Sequence, residues 1–187
     1  MKSGWPVKAH FAITLVALSA TGCTAAAAPE IAFNARATAR ATVAYAVDGD
    51  TLRVQLSTGE LTYVRLVGID TPEDVRPGYP TECGAGEAAA SMEGLAPEGA
   101  AVTLRPDSAA DSEDRYGRLL VHAFIAGRQL EIAQLRRGLA YVYRYDDQRF
   151  DGLPRFQAAQ LSARRAGRGS WGRCGGDFHS GEDGVQH

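Results

Sequence analysis

The sequence predicts an α+β domain in which five short strands close a small barrel and three helices pack around it. Five short runs rich in apolar and β-branched residues are separated by turn-forming residues, which is the pattern of strands. Three further segments have helix-forming composition or apolar residues at helical spacing. With 187 residues and 45% hydrophobic content, the chain can bury the core of one such domain.

Turn signals separate the predicted strands. Asp48 and Gly49 form an Asp-Gly pair between two apolar runs, which is a strong hairpin signal. A second turn is expected at residues 57–59 and a third at Ala126 and Gly127. We therefore expect strands at residues 42–47, 51–56, 61–69, 101–106 and 118–127, with a short extended piece at 141–143.

The predicted helices cover residues 86–96, 130–140 and 153–166. The first has a helix-forming composition and stops at Pro97. The second closes at Gly138 and has one apolar face, made of Leu130, Ile132, Ala133, Leu135 and Leu139. Three strands, one helix, two strands and two helices in this order are typical of the α+β class.

The first 28 residues predict an export leader. Lys2 and Lys8 precede the short apolar stretch 11–20. The following "ATGC" resembles the lipobox of bacterial lipoproteins, which would leave Cys23 lipidated; a cut within residues 25–28 would instead discard Cys23. Both cuts predict export, to the medium, the periplasm or a lipid anchor at the envelope. After the leader we expect a tether at 29–41, the ordered domain at 42–174 and a disordered tail at 175–187.

If the protein is exported, the redox state of the two remaining cysteines can be predicted. Cys83 and Cys174 form an even pair in an oxidising compartment, which predicts a disulfide. In the chain-entropy model, closing the loop between these cysteines would add roughly 4–5 kcal/mol to the free energy of unfolding. Two buried free thiols are the alternative, and a zinc site lacks the paired cysteines or histidines that it needs.

Charge is distributed unevenly along the chain. The net charge is −2, but residues 41–127 carry a net −8 and residues 128–173 a net +6. Both lysines lie in the predicted leader, so the basic residues of the remaining chain are arginines. Arginine offers bidentate contacts to phosphate, although a solvated helix face explains most of these side chains equally well.

Three motifs in order carry a resemblance to a known family. They are "VDGDTLRV" at 47–54, "YVRLVGIDTPE" at 63–73 and "DRYGRLLV" at 114–121. From about Val43 to Cys174 the chain resembles the thermonuclease family, staphylococcal nuclease and its secreted relatives. The resemblance implies a five-stranded OB-like barrel with three helices. It also implies a calcium-dependent phosphodiesterase that cleaves DNA and RNA by in-line attack of water and leaves 3′-phosphate ends.

Two aspartates are the candidate metal ligands. Asp50 lies at the start of the second predicted strand and Asp70 at the end of the third, next to their bounds, so two hard oxygens can meet as half of a calcium or magnesium site. The resemblance selects calcium, with Asp50, Asp70 and the carbonyl group of Thr71 as ligands. Taken without the other motifs, these residues would be two surface aspartates at strand ends.

Glu73 is the candidate general base. Pro72 lacks a backbone donor and stiffens the loop that carries the Glu73 carboxylate. A carboxylate held beside a divalent metal can orient and deprotonate water. The alternative is a rim residue, because "TPED" is also a common turn sequence.

Arg65 and Arg118 match the two catalytic arginines of the family. Fixed cations stabilise the negative charge that develops on the phosphate during attack. For Arg65 to share a face with the aspartate five residues later, the strand needs a twist or bulge near Gly68. Alternatively both are surface ion-pair residues, with Arg118 paired to Asp114 or Glu113.

Arg115 and Tyr116 would contact a terminal phosphate of the substrate, as the resemblance implies, and Tyr141 would add to them. Tyr141 and Tyr143 alternate, so we expect one of them to face the cleft. His122 lies in the middle of a predicted strand among apolar residues and is interpreted as a core residue.

DNA and RNA are the expected partners, and we expect a monomer. One rival hypothesis is a nucleic-acid-binding OB module that has lost catalysis. The predicted metal and arginine positions are all intact, which disfavours it. Another rival is a calcium-stiffened envelope protein whose acids are structural.

Overall fold

The computed structural model describes residues 37–73, 80–145 and 149–179. The predicted leader with Cys23, residues 29–36 of the tether and residues 180–187 of the tail lie outside the described residues. Among the residues described, no helix is both long and apolar enough to span a bilayer.

A closed five-stranded barrel forms the centre of the fold. Its strands are β1 (Ala39–Ala46), β2 (Thr51–Leu56), β3 (Leu61–Leu66), β5 (Ala101–Pro106) and β6 (Leu119–Ile125). The sheet order is β3-β2-β1-β5-β6, and a parallel ladder between β3 and β6 closes the circle while the other neighbours are antiparallel. This confirms the predicted α+β barrel.

Short strands and helices surround the barrel. The short strands are β4 (Ile69–Asp70), β7 (Arg128–Gln129) and β8 (Tyr141–Val142). The helices are α1 (Ala85–Leu95), α2 (Leu130–Arg137), α3 (Leu153–Arg165) and α4 (Ser170–Arg173). The first three helices match the predicted ones, whereas the single turn α4 was not predicted.

Strand alternation builds the core. On β2, Leu52 and Val54 are fully buried, whereas Arg53 between them faces outwards. Val64 of β3 and Leu104 of β5 point into the same interior. Helices α2 and α3 cover the barrel with further buried apolar residues, including Leu130, Leu135 and Phe156.

The predicted third strand is divided at Gly68. Strand β3 ends at Leu66, and Gly68 has a φ angle of +83°, which favours glycine. A Cβ atom at this position would also lie 2.6 Å from the ring of Phe150. The chain therefore turns away from the barrel, and β4 pairs with β8 so that Asp70 lies opposite Tyr141.

Described structure is present on both sides of the predicted domain bounds at 42 and 174. Strand β1 already begins at Ala39. At the other end, Phe178 is buried and its ring centre lies 4.8 Å from that of Trp171 and 5.2 Å from that of Tyr141. Residues 175–179, part of the predicted tail, thus pack against the domain through three aromatic rings.

Candidate active site

The β1–β2 hairpin directs Asp50 towards the interior. Asp48 accepts hydrogen bonds at Oδ1 from the backbone N–H groups of Asp50, at 2.9 Å, and Thr51, at 2.7 Å, which closes the turn. A Cβ atom on Gly49 would lie 2.7 Å from Oγ1 of Thr71, so only glycine allows this close approach. As predicted, Asp48 and Gly49 supply the turn.

Arg65 joins the two predicted metal-binding carboxylates. Its Nη2 atom lies 2.9 Å from Oδ2 of Asp50 and 2.6 Å from Oδ1 of Asp70. Its Nη1 atom donates to the carbonyl oxygens of Leu66, at 2.9 Å, and Ile69, at 2.8 Å. The turn at residues 67–68 thus makes it possible for one guanidinium group to bind both ends of the divided strand.

Thr71 fixes the buried carboxylate of Asp50. The backbone N–H and the hydroxyl group of Thr71 both donate to Oδ2 of Asp50, at 3.0 and 3.1 Å. The hydroxyl group of Thr51 donates to the other oxygen, Oδ1, at 3.1 Å. Asp50 is only 2% exposed, and these donors orient a carboxylate that water cannot easily reach.

The site has an excess of negative charge. Burial raises the pKa of Asp50 well above its usual range, the positive charge of Arg65 opposes this, and the nearby acids Asp48, Asp70 and Glu73 raise the pKa further. Four acids thus surround one arginine, and a hard divalent cation fits this donor chemistry and charge. Within the described residues, however, no three Asp, Glu, His or Cys side chains form a metal-binding cluster by themselves.

Glu82 holds the segment that carries Glu73. The backbone N–H of Glu73 donates to Oε2 of Glu82 at 2.8 Å, and the N–H of Glu82 donates to the carbonyl of Glu73 at 3.0 Å. Glu82 is 2% exposed, and Cys83 next to it forms the predicted disulfide with Cys174. The sequence analysis did not identify Glu82 as a site residue. Its position next to Cys83, a predicted disulfide cysteine, was the signal that could have indicated a fixed position.

Tyr141 supports Asp70 from the side. Its hydroxyl group donates to Oδ2 of Asp70 at 2.8 Å and lies 2.6 Å from Nε2 of His179. Burial and then the charge of Asp70 raise the pKa of Tyr141, so the phenol stays protonated and able to donate. A contact between Tyr141 and substrate stays a prediction. His179, which also lies 3.3 Å from Glu82, was not identified as a site residue in the sequence analysis.

Arg118 is held by an ion pair with Asp114. Its Nε atom lies 2.6 Å from Oδ2 of Asp114, which is one of the two alternatives left open above. The β3–β6 ladder pairs Arg65 with Leu120. Residues 118 and 120 alternate along the chain, so Arg118 lies on the same outer face of the barrel as Leu120 and Arg65. Its side chain, however, forms an ion pair with Asp114.

Exposed aromatic and basic side chains lie beside Arg118. Arg115 donates to the hydroxyl group of Tyr116 at 2.7 Å, and both side chains are exposed. The hydrogen bond to Tyr116 raises the pKa of Arg115, and the nearby Tyr145 adds to the effect. Tyr145 is 58% exposed and was missed in the sequence analysis, although an aromatic residue inside the charged stretch "YRYDDQR" was a usable signal.

His122 is a core residue, as predicted. It is buried, with Nδ1 2.6 Å from Oε1 of Glu131 and Nε2 2.9 Å from Oδ2 of Asp107. The pairing of Glu131 and Asp107 with this histidine was not predicted, because it joins β6 to α2 and to the segment after β5.

Comparisons with known proteins agree with the motifs. The family model described as "Staphylococcal nuclease homologue" matches residues 63–173. The SPbeta prophage-derived endonuclease YokF of Bacillus subtilis (strain 168) is 31% identical over 133 residues, which cover 70% of this chain and 43% of the relative. Endonuclease YncB of the same organism is 28% identical over 145 residues, covering 76% and 66%.

A thermonuclease of Staphylococcus intermedius is 32% identical over 94 residues, covering 50% of this chain and 54% of the relative. The chain thus spans between 43% and 66% of the length of these three relatives. The residues that the family model matches, 63–173, include Arg65, Asp70, Glu73 and Arg118.

Proposed function

The chain belongs to the family of staphylococcal nuclease homologues, and from this premise we propose that it is a calcium-dependent phosphodiesterase that hydrolyses DNA and RNA. The convergence of Asp50 and Asp70 on Nη2 of Arg65, at 2.9 and 2.6 Å, carries the proposal. It combines oxygen ligands for a cation with a fixed donor for phosphate, and it lies beside Glu73.

The carboxylates of Asp50 and Asp70 and the carbonyl group of Thr71 would hold the calcium ion. When bound, calcium supplies positive charge to the phosphodiester and makes a nearby water more acidic. The hydrogen bonds from Thr71 and Thr51 to Asp50, and from Tyr141 to Asp70, keep both carboxylates in place. The excess of negative charge at this site supports the choice of a cation.

Glu73 acts as the general base. Its carboxylate accepts a proton from the attacking water while the water oxygen forms a bond to phosphorus. The bond from phosphorus to the 5′ oxygen breaks on the opposite side, and the leaving oxygen takes a proton from solvent water. The products are a 3′-phosphate and a 5′-hydroxyl end. The two hydrogen bonds with Glu82 support this role, because they restrict the backbone from which the base acts.

Arg65 and Arg118 stabilise the negative charge that develops on the phosphate oxygens. Arg65 is already fixed by four acceptors. Arg118 exchanges its ion pair with Asp114 for an oxygen of the scissile phosphate. Arg115, Tyr116 and Tyr145 contact neighbouring phosphates and bases, groups that DNA and RNA share.

We also propose that the protein is an exported monomer: secreted, periplasmic or anchored through a lipid on Cys23. The leader-like composition of residues 1–28 supports export. The disulfide between Cys83 and Cys174 fits an oxidising compartment.

A digestion assay tests the proposed function. The purified protein is incubated with plasmid DNA and with RNA, in calcium or in EDTA, and the product ends are analysed for 3′-phosphate. We expect cleavage of both substrates in calcium only, with 3′-phosphate ends. Cleavage that persists in EDTA contradicts the proposal, and binding without cleavage in calcium would indicate the rival binding module.

A further inference from the structure

Three exposed side chains stand side by side on the outer face of β1, β2 and β3. The ladders pair Tyr45 with Arg53 and Arg53 with Tyr63. Tyr45 is 50% exposed and Tyr63 is 40% exposed. The guanidinium carbon of Arg53 lies 4.1 Å from the ring centre of Tyr63. Two aromatic rings and one cation thus form a single surface, and the mechanism above does not use it.

A bulge in β1 is what exposes Tyr45. Val43 pairs with Val54 and is 1% exposed, so it faces the core. In a regular strand, a residue two positions later would face the same way. The register shifts between Val43 and Tyr45, and this irregularity turns the tyrosine to the outside beside Arg53.

This surface continues into the candidate active site. Tyr63 and Arg65 are alternate residues of β3 and share its outer face, about 7 Å apart along the strand. Arg65 is paired with Thr51 in the next row of the ladder. Arg118 directly precedes the ladder that joins Val64 to Leu119. A strand of nucleic acid that reaches Arg65 therefore meets Tyr63 next.

We propose that Tyr45, Arg53 and Tyr63 form a stacking platform for unpaired bases of the nucleic-acid strand that the active site cleaves. The inference rests on the proposed function, which supplies the class of ligand. Aromatic rings stack on any base, and Arg53 adds a cation that can meet a phosphate or a π face. Bases inside a duplex are already stacked and paired, so the platform favours single strands.

Binding without cleavage tests the platform. The full chain is titrated in EDTA with a fluorescein-labelled oligothymidylate of twelve nucleotides, and with a duplex of equal length, by fluorescence anisotropy. We expect the wild type to prefer the single strand. Each lost stack weakens binding by about tenfold, so the double variant Tyr45→Leu/Tyr63→Leu should bind the single strand about a hundredfold more weakly.

Matched variants distinguish the contribution of the tyrosine rings to binding from that of the hydroxyl groups and of any exposed apolar side chain. Tyr45→Phe/Tyr63→Phe keeps both rings and should bind within about twofold of the wild type, as should Leu161→Ala, which removes an exposed side chain of α3. Arg53→Leu gives a second measure, because it should weaken single-strand binding and lessen its dependence on salt. Unfolding midpoints of all variants verify that they are folded.

Folded leucine and Arg53 variants that bind like the wild type would overturn the platform, as would a wild type that binds the duplex equally well. If the wild type forms a concentration-dependent dimer and the leucine variant does not, this face binds a second copy of the chain. That result would also overturn the platform. The proposed function fails separately, if the wild type cleaves no nucleic acid in calcium while the single-strand preference persists.

Discussion

Glu82 and Glu73 hold each other through two hydrogen bonds. The Glu73 N–H donates to the Glu82 carboxylate at 2.8 Å, and the Glu82 N–H donates to the Glu73 carbonyl at 3.0 Å. These contacts join two residues that are nine positions apart in the chain. Glu73, the proposed base, is therefore presented by a fixed backbone, and Glu82 is a positioning residue.

Removing the Glu82 side chain should reduce catalysis more than substrate binding. In Glu82→Ala the Glu73 N–H loses its acceptor, and a displaced base can cost on the order of a hundredfold in kcat. Glu82→Gln keeps an acceptor oxygen and should retain most of the activity. Steady-state kinetics on single-stranded DNA give kcat and KM, with the exposed Glu60→Ala as control. A wild-type kcat for Glu82→Ala would contradict the positioning role.

Reducing the disulfide should destabilise the protein and slow catalysis. Cys83 lies beside Glu82, and its bond to Cys174 closes a loop across a separation of 91 residues. The chain-entropy model gives a loss of roughly 4–5 kcal/mol in the free energy of unfolding. Urea unfolding of the wild type with and without dithiothreitol, and of Cys83→Ser/Cys174→Ser, measures this loss. The exposed Glu60→Ala is the control. Equal midpoints for oxidised and reduced protein would refute the prediction.

The buried His122 cluster should make stability depend on pH. Burial lowers the pKa of His122, but the bonds to Glu131 and Asp107 outweigh it and raise the pKa above the ordinary 6.5. Because the folded pKa exceeds the unfolded one, this stabilisation is complete below about pH 6.5 and is lost as pH rises through the folded pKa. The unfolding midpoint should therefore be higher near pH 6 than near pH 9.

Substitution of His122 tests the origin of this dependence. His122→Gln should lose most of the difference in unfolding midpoint between pH 6 and pH 9. Near pH 6 it should lower the free energy of unfolding by roughly 1–3 kcal/mol, because two buried carboxylates lose a charged partner. The exposed Glu113→Gln should keep the wild-type profile. An unchanged profile in His122→Gln would show that other groups cause the dependence.

Calcium should stabilise the folded protein through Asp50. The buried carboxylate lies among other acids, and a bound cation offsets their repulsion. Calcium at about 100 times its Kd should add about 2.7 kcal/mol to the free energy of unfolding. Thermal unfolding with calcium and with EDTA measures the shift, which Asp50→Asn should lose and the exposed Asp111→Asn should keep. An equal shift in both variants would exclude Asp50 as a ligand.

Local signals explain what the sequence predicted well. The Asp48-Gly49 turn, the alternation on β2 and the proline that stops α1 each lie within a few residues, and the structure follows them. The proximity of Arg65 and Asp70 could also be predicted from the sequence, because it requires only that the chain change direction near Gly68.

The missed features join distant parts of the chain. Glu82 and His179 are 97 residues apart, and no periodic pattern links them. The orientation of Tyr45 depends on a register shift against β2, which alternation alone predicts wrongly. The hydroxyl of Tyr141 reaches Asp70 only because β4 leaves the barrel to pair with β8.

The most direct measurement of the central claim is kcat/KM on DNA in calcium for Glu73→Gln and Arg118→Ala. Their matched controls are the exposed Glu60→Gln and Arg40→Ala. Because Glu73 accepts the proton and Arg118 stabilises the phosphate charge, we expect each site variant to lose about 10²–10⁴-fold and each control to keep the wild-type value. Folded site variants with wild-type kcat/KM would contradict the account.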